Sequence, residues 1–436
     1  MPKAAFHNLG CKVNSYETES MQQLLEENGY EIVDFSEIAD VYIINTCSVT
    51  NIADRKSRQM IHKARKMNKN AVIVAAGCYA QTSTEKIKEE GCVDIIIGNN
   101  NKHRLPELIS EHLNTKNKTD AVLDIMKEKE YEPLFSAKTN VHTRAYMKFH
   151  DGCNQFCSYC IIPYARGRVR SRQEKDILDE IGRLAKKGYK EIVLTGIHLS
   201  SYGIDTDTSL IEIIERIHEI EGIERIRLGS LEPRIITEEF LERLSRLYKI
   251  CPHFHLSLQS GSDTVLKRMN RRYTTEEYFE KCCLIKKYYD YPALTTDVIV
   301  GFPGETEEEF NETIEFIKRV KFFEVHVFKY SRRKGTKADL MQNQVPDGIK
   351  NKRSAVLLEL TKADSKEFIA SLEGKDVEAL FEEKLIKNNE TFYVGHTKEY
   401  VKVLLKSDED LINNIVKGKI VRQNPLNFDD VYITIL

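Results

Sequence analysis

Three cysteines, Cys153, Cys157 and Cys160, form a C-x3-C-x2-C run inside the stretch 151–160. Thiolates this close in sequence can wrap one small inorganic centre but cannot brace a large framework. A structural zinc site takes four ligands, and no fourth cysteine or suitably spaced histidine follows. An iron–sulphur cube is held by cysteine thiolates on its irons. Three thiolates therefore leave one iron open to another ligand. The competing reading is three buried structural cysteines, although clustered cysteines in an intracellular chain are usually explained by ligation or reactivity.

A second set is visible only after the surrounding elements are laid out. Residues 1–113 alternate short apolar runs with helical patterns, with strands expected at 4–7, 41–44, 71–75 and 94–97. Met21, Leu24 and Leu25 give the first helix its apolar stripe. Such alternation predicts an open, mainly parallel α/β sheet. Cys11, Cys47 and Cys78 each fall just past the carboxyl end of one of these strands, the edge where such sheets gather ligands. Gly10 and Gly77 directly precede two of them, which suits close backbone approach. Three thiolates on one rim again suggest a cluster with an open iron, with buried packing cysteines as the alternative. Cys92 enters a strand from its other end and reads as packing.

Residues 114–143 are polar and poorly periodic and read as a linker. From 144 to 340 the alternation restarts, with strands expected at 146–149, 191–194, 225–228, 254–257, 296–300 and 325–328. Six βα units predict a partial, open (β/α)6 TIM-like barrel with its chemistry at the carboxyl ends of strands. Cys153 follows the first of these strands. Ser230, Glu232, Gln259 and Ser260 lie in strand-end loops on the same rim and could supply polar groups for a ribose or an amino acid. His198, His253 and His255 read as structural or general rim residues rather than metal ligands. Arg166, Arg168, Arg170 and Arg172 alternate with small or apolar residues. They fit either a phosphate or carboxylate site or a solvated strand edge.

Residues 341–372 read as a helical connection, and 373–436 as five short strands forming a small OB-like β-barrel, a common nucleic-acid platform. That tail carries nine Lys/Arg against twelve Asp/Glu, net −3, so any RNA contact needs one face, for instance Lys398, Lys402 and Arg422. The basic helical pattern at 51–69, with Arg55, Lys56, Arg58, Lys63, Arg65, Lys66 and Lys69, reads as a solvated face or an RNA-backbone contact.

The 436 residues are 30% charged with a formal net charge of −2, so global charge announces no polyanion partner. The first residues carry neither a basic nor an apolar leader segment, and no apolar run approaches a membrane span. The expected setting of the ten cysteines is a reducing cytoplasm, where metal or catalytic use outranks disulfides.

Taken in order, the stretches 8–14, 45–47, 77–78, 151–167, 255–261 and 330–336 resemble the methylthiotransferases of the radical S-adenosylmethionine (SAM) superfamily. The resemblance covers essentially the whole chain. It implies that Cys153, Cys157 and Cys160 hold a SAM-cleaving 4Fe-4S cluster, that Cys11, Cys47 and Cys78 hold an auxiliary 4Fe-4S cluster, and that the tail is a TRAM-like domain associated with tRNA binding. The superfamily's Gly-Gly-Glu motif is absent, and 195–201 stands in its place.

The stretch 10–18 is most similar to the branch acting on threonylcarbamoyladenosine beside the tRNA anticodon. The implied activity is radical transfer of a methylthio group to C2 of that adenine, with an electron donor such as flavodoxin or ferredoxin and no membrane partner. Such chemistry requires the two cysteine-bearing rims to face each other. The alternatives are an isopentenyladenosine tRNA or a ribosomal-protein aspartate as substrate, or a non-catalytic iron–sulphur RNA-binding module.

Overall fold

The computed structural model describes residues 1–135, 143–387, 389–421 and 431–435, the last of these as backbone. The first layer is a six-stranded parallel sheet with the order β2-β1-β3-β4-β5-β6. Its elements are β1 (Lys3–Asn8), α1 (Lys12–Glu27), β2 (Glu31–Val33), β3 (Val41–Thr46), α2 (Asn51–Met67), β4 (Val72–Gly77), α3 (Cys78–Thr82), α4 (Thr84–Glu90), β5 (Ile95–Ile97), α5 (Leu105–Thr115) and β6 (Thr119–Ala121). β3 and β4 are buried on both faces, as continuous apolar runs in a parallel sheet require. Two strands escaped the sequence reading. β2 and β6 are three-residue edge strands, too short to carry a period to detect. β6 lies inside the expected linker and pairs with β5. In the same stretch Glu132 is buried and accepts hydrogen bonds from the Lys102 and His103 backbone amides, so part of 114–135 packs against the first sheet domain. The remainder of that expected linker, 136–142, lies outside the described residues.

The second layer comprises β7 (Ala145–Lys148), β8 (His150–Asp151), α6 (Ile162–Arg166), β9 (Arg170–Ser171), α7 (Glu174–Lys186), β10 (Glu191–Thr195), α8 (Leu210–His218), β11 (Arg225–Leu228), α9 (Glu238–Ser245), β12 (His253–His255), α10 (Asp263–Arg268), α11 (Thr275–Tyr288), β13 (Ala293–Val300), α12 (Glu307–Val320) and β14 (Glu324–Lys329). Two parallel three-stranded sheets, β7-β10-β11 and β12-β13-β14, are joined by single bridges at Ile226–Ile250 and Leu231–Leu256. That is the six-stranded open barrel expected. Its apolar core lies between the strands and the surrounding helices. Ser209, Thr274 and Thr306 start α8, α11 and α12 with capping boxes to Glu212, Glu277 and Glu309.

A single 25-residue helix, α13 (Asp347–Ser371), leads to a closed five-stranded barrel. Its strands are β15 (Asp376–Lys387), β16 (Glu390–Thr397), β17 (Lys402–Lys406), β18 (Ile415–Val421) and β19 (Val431–Ile435). No described helix is long and apolar enough to cross a membrane.

Candidate active site

In the first sheet, Cys11 caps α1, Cys47 directly follows β3 and Cys78 begins α3. Gly10 suits this position because its φ of +116° would strain any other residue, and a Cβ would sit tightly, 3.1 Å from both Cβ and Sγ of Cys47. Gly77 (φ +92°) is required, since a Cβ would lie 2.5 Å from Asn45 Oδ1. The Asn99 amide donates to Cys78 Sγ at 3.4 Å. Burial, then the neighbouring Cys78 and Cys11, push the Cys47 thiol up to about 12. Cys11 is exposed at the residue level, yet desolvation by the surrounding protein still raises its thiol pKa.

The second triad sits on the loop after β8. Gly152 (φ +74°) admits the Arg168 carbonyl where a Cβ would stand, and Phe156 holds a left-handed φ of +49°. Ser158 N donates to the Met269 carbonyl at 3.0 Å, Asn270 Nδ2 donates to the Phe156 carbonyl at 3.1 Å, and Arg271 Nη1 lies 3.6 Å from Cys157 Sγ. Burial is the largest cause raising Cys153 to about 11 and Cys160 to about 12, with Cys157 adding to both. Burial thus makes Cys11 and Cys47 of the first triad and Cys153 and Cys160 of the second resist ionisation. A bound cationic centre reverses that balance, because it deprotonates its thiol ligands. The donor set fits such a centre.

The two cysteine-bearing rims face each other. Arg166 of α6 donates to Glu17 at 2.7 Å and to Asn14 at 2.7 Å, both on α1, and to Asp151 at 2.9 Å. Lys148 completes the bridge, 2.7 Å from Glu17 and 2.6 Å from Asp151. Lys102 lies 3.3 Å from Glu17. All of these charged side chains are 0–2% exposed. On the opposite side Arg333 donates to Ser48, Asn51 and Asp54. Between the rims lies a cavity of about 210 Å³. Thr50, beyond Cys47, lies on one wall; Cys160, Gln259, Asp297 and the half-exposed Phe328 lie on the other.

Of the rim residues expected to contact cofactor, Gln259 lines this cavity in a left-handed conformation (φ +69°). Glu232 approaches the second triad, where its charge acts on Cys153 and Arg271. Ser230 is exposed. Ser260 is a correction: it is fully buried, its hydroxyl 3.4 Å from Thr313 of α12, away from the cavity that Gln259 lines. The arginine row is another. Arg166, Arg170 and Arg172 are buried and bind this protein's own groups, Arg172 pairing with Glu180. His255 pairs with Asp297 at 3.3 Å and stacks on His326. Arg271, His326 and Phe328 were not singled out from sequence. Each comes from an element distant in the chain, and none carries a local motif.

The tail closes the other end of the barrel. Tyr400, at φ +72°, lies between the Arg144 and Arg227 guanidinium groups, 5.0 and 4.8 Å from its ring, and stacks on His396. Arg227 donates to the Thr397 and Lys398 carbonyls. Lys398 pairs with Glu378 at 3.2 Å and donates to the Tyr248 carbonyl, so it serves docking. Lys402 is exposed, and Arg422 lies outside the described residues. On α2, Arg55, Lys56, Lys63 and Lys66 are exposed while Arg65 pairs with Asp94.

Residues 147–317 match the radical SAM superfamily, and residues 3–98 match the uncharacterized protein family UPF0004. The chain is 46% identical to threonylcarbamoyladenosine tRNA methylthiotransferase MtaB of Bacillus subtilis, over 97% of this chain and 94% of that one. It is 42% identical to the protein of the same name from Aquifex aeolicus, over 89% and 95%. It is 39% identical to a tRNA-2-methylthio-N(6)-dimethylallyladenosine synthase of a Thermoanaerobacter species, over 94% and 88%. Among solved structures, the radical SAM methyltransferase TsrM of Kitasatospora setae superposes with a TM-score of 0.56 at 15% identity, covering 77% of each chain. That likeness speaks to the fold alone.

Proposed function

The chain belongs to the tRNA methylthiotransferases of the radical SAM superfamily, and from that premise we propose that it converts threonylcarbamoyladenosine in tRNA to its 2-methylthio derivative. It is a transferase whose family uses SAM and a 4Fe-4S cluster. On this reading Cys153, Cys157 and Cys160 hold the cluster that binds SAM, and Cys11, Cys47 and Cys78 hold a second. When bound, these groups supply one-electron cleavage of SAM and a sulphur to attach, which an unactivated aromatic C–H bond demands.

The chain's own residues bind, orient and exclude water. Arg271 sets a positive charge beside Cys157, offsetting the negative charge of ligating thiolates. Gln259 offers an acceptor on the SAM side of the cavity, and Glu232, paired with Arg234 at 2.6 Å, places a carboxylate near the second triad. Phe328 offers an aromatic face to a base swung out of its loop. Helix α2 and Lys402 offer exposed cations to the RNA backbone. The reaction takes place in the cytoplasm, with the electron drawn from a carrier such as flavodoxin or ferredoxin.

The observation that carries the proposal is one cavity lined by Cys160 of the second triad and by Val49 and Thr50, which follow Cys47 of the first. Nucleoside mass spectrometry of tRNA from cells with and without the gene tests it. Loss of the methylthio form, with the unthiolated threonylcarbamoyl nucleoside left behind, is expected. Loss of methylthio-isopentenyladenosine instead would overturn the substrate.

A further inference from the structure

Three side chains converge beside the cavity from adjacent strands. His255 ends β12, Asp297 lies in β13 and His326 in β14. Thr295 pairs with His255 across one strand boundary, and Asp297 pairs with His326 across the other. Thr295 and Asp297 are two residues apart, so both pairs project from one face of the sheet. That register brings a ligand atom from each of His255, Asp297 and His326 within 4.8 Å of one another. His255 Nε2 lies 3.3 Å from Asp297 Oδ2, and the two imidazole rings stack with centroids 5.7 Å apart. Ligands held about 2.0–2.1 Å from one zinc stand roughly 3.4 Å apart, so the His255–Asp297 edge already has that length. His326 is half-exposed, and closing the remaining edges moves only a surface ring. The other ring nitrogens are engaged as well. His255 Nδ1 lies 3.0 Å from Thr295 Oγ1, and His326 Nδ1 lies 3.6 Å from Glu324 Oε1. An oxygen accepting from Nδ1 selects the tautomer whose Nε2 lone pair is free for a cation, the usual support of a metal-bound imidazole. A plain ion pair accounts for His255 and Asp297. It does not account for a second imidazole beside them with a carboxylate partner of its own.

We propose that His255, Asp297 and His326 form a site for one divalent transition-metal ion, separate from the cysteine-held centres proposed above. Two imidazoles and one carboxylate suit zinc or iron(II), whereas magnesium and calcium take oxygen donors. Three protein ligands leave a coordination position for water or another oxygen ligand. Asp297 lines the cavity, so the ion borders the space between the two rims. This use of His255 differs from the structural or rim role read from sequence.

The test gives zinc alone to the full-length protein with its clusters reconstituted, removes the excess by desalting, and measures zinc and iron by mass spectrometry. Wild type should retain about one zinc per chain more than His326→Ala, as a three-ligand site holds. Equal iron content and an equal melting temperature in the two proteins show that the lost zinc is not a lost fold. Glu324→Gln, which keeps all three ligands, should weaken zinc binding roughly 10- to 100-fold in competition with a chelator. X-ray absorption at the zinc edge of wild type should show nitrogen and oxygen neighbours at about 2.0–2.1 Å and no sulphur. Equal zinc retention in wild type and His326→Ala overturns the site. So does a zinc spectrum dominated by sulphur, which would put the ion on cysteines.

Discussion

Replacing Glu17 by Gln removes the shared anion of the buried bridge between the sheet and the barrel. Burial alone would raise the Glu17 pKa, but Arg166, Lys102 and Lys148 hold it far below the usual carboxylate range. The variant leaves those three cations with Asp151 and Glu132. Removing one partner of a buried ion pair typically costs about 3–5 kcal/mol. Lys148 and Arg166 keep Asp151, and the new amide still offers an acceptor oxygen, so the low end applies, about 3 kcal/mol. At roughly 2–4 °C per kcal/mol for a domain of this size, the first calorimetric transition should fall by about 6–12 °C. A folded-state pKa depressed below the unfolded value stabilises above the unfolded value, near pH 4.5, and that contribution fades as pH falls toward the folded one. The gap between wild type and variant should therefore be constant from pH 6 to 8 and narrow in acid. A shift below about 1 °C at pH 7 would mean that desolvation of these charges cancels their attraction, and the bridge would not be what sets the rims apart.

Replacing Cys157 by Ala should abolish reductive SAM cleavage and remove roughly four irons, whereas Cys78→Ala should lose a similar amount of iron and still form deoxyadenosine without methylthio product; full iron and full product in Cys78→Ala would refute the second cluster. Burial raises Glu19 to about 8 with no hydrogen bond to its Oε2, so its ionisation destabilises the fold from about pH 4.5 upward. Glu19→Gln should gain about 3 kcal/mol at pH 7 relative to its own advantage at pH 4.5, from about 2.5 pKa units; a pH-independent difference in urea denaturation would refute this. Tyr400→Ala should lower thermal stability of the barrel itself, seen as faster amide exchange at Arg225–Leu228; unchanged exchange would show that the tail merely rests on the barrel.

Most of the scaffold was legible because it rests on periodicity and on cysteine position. Runs such as Val72–Gly77 are buried on both faces, and the cysteines after β1 and β3 and at the start of α3 mark the ligand edge whatever the sequence spacing. Pairs made across the chain were illegible. Arg166 reads as one of four alternating arginines, yet it is the hub of a bridge to Glu17, 149 residues away. Arg271 reaches Cys157 from 114 residues away with no motif around it. Ser260 is buried against Thr313 while its neighbour Gln259 lines the cavity, a difference set by a local left-handed turn at Gln259 that composition does not reveal. The tail was expected to be an RNA platform, but its Thr397–Tyr400 turn is spent on the barrel, a use that no composition count can reveal.

That turn also has a consequence for how the protein is made. Arg225, Arg227 and Glu191 form the barrel end that Tyr400 covers, and the last barrel strand ends at Lys329. A ribosome adding about 5–20 residues per second needs on the order of ten seconds to pass from there to Tyr400. During that interval the nascent barrel has both ends open to water. Truncated or stalled chains would leave a cluster of buried-type arginines exposed, a form that quality-control proteases can distinguish from the finished molecule.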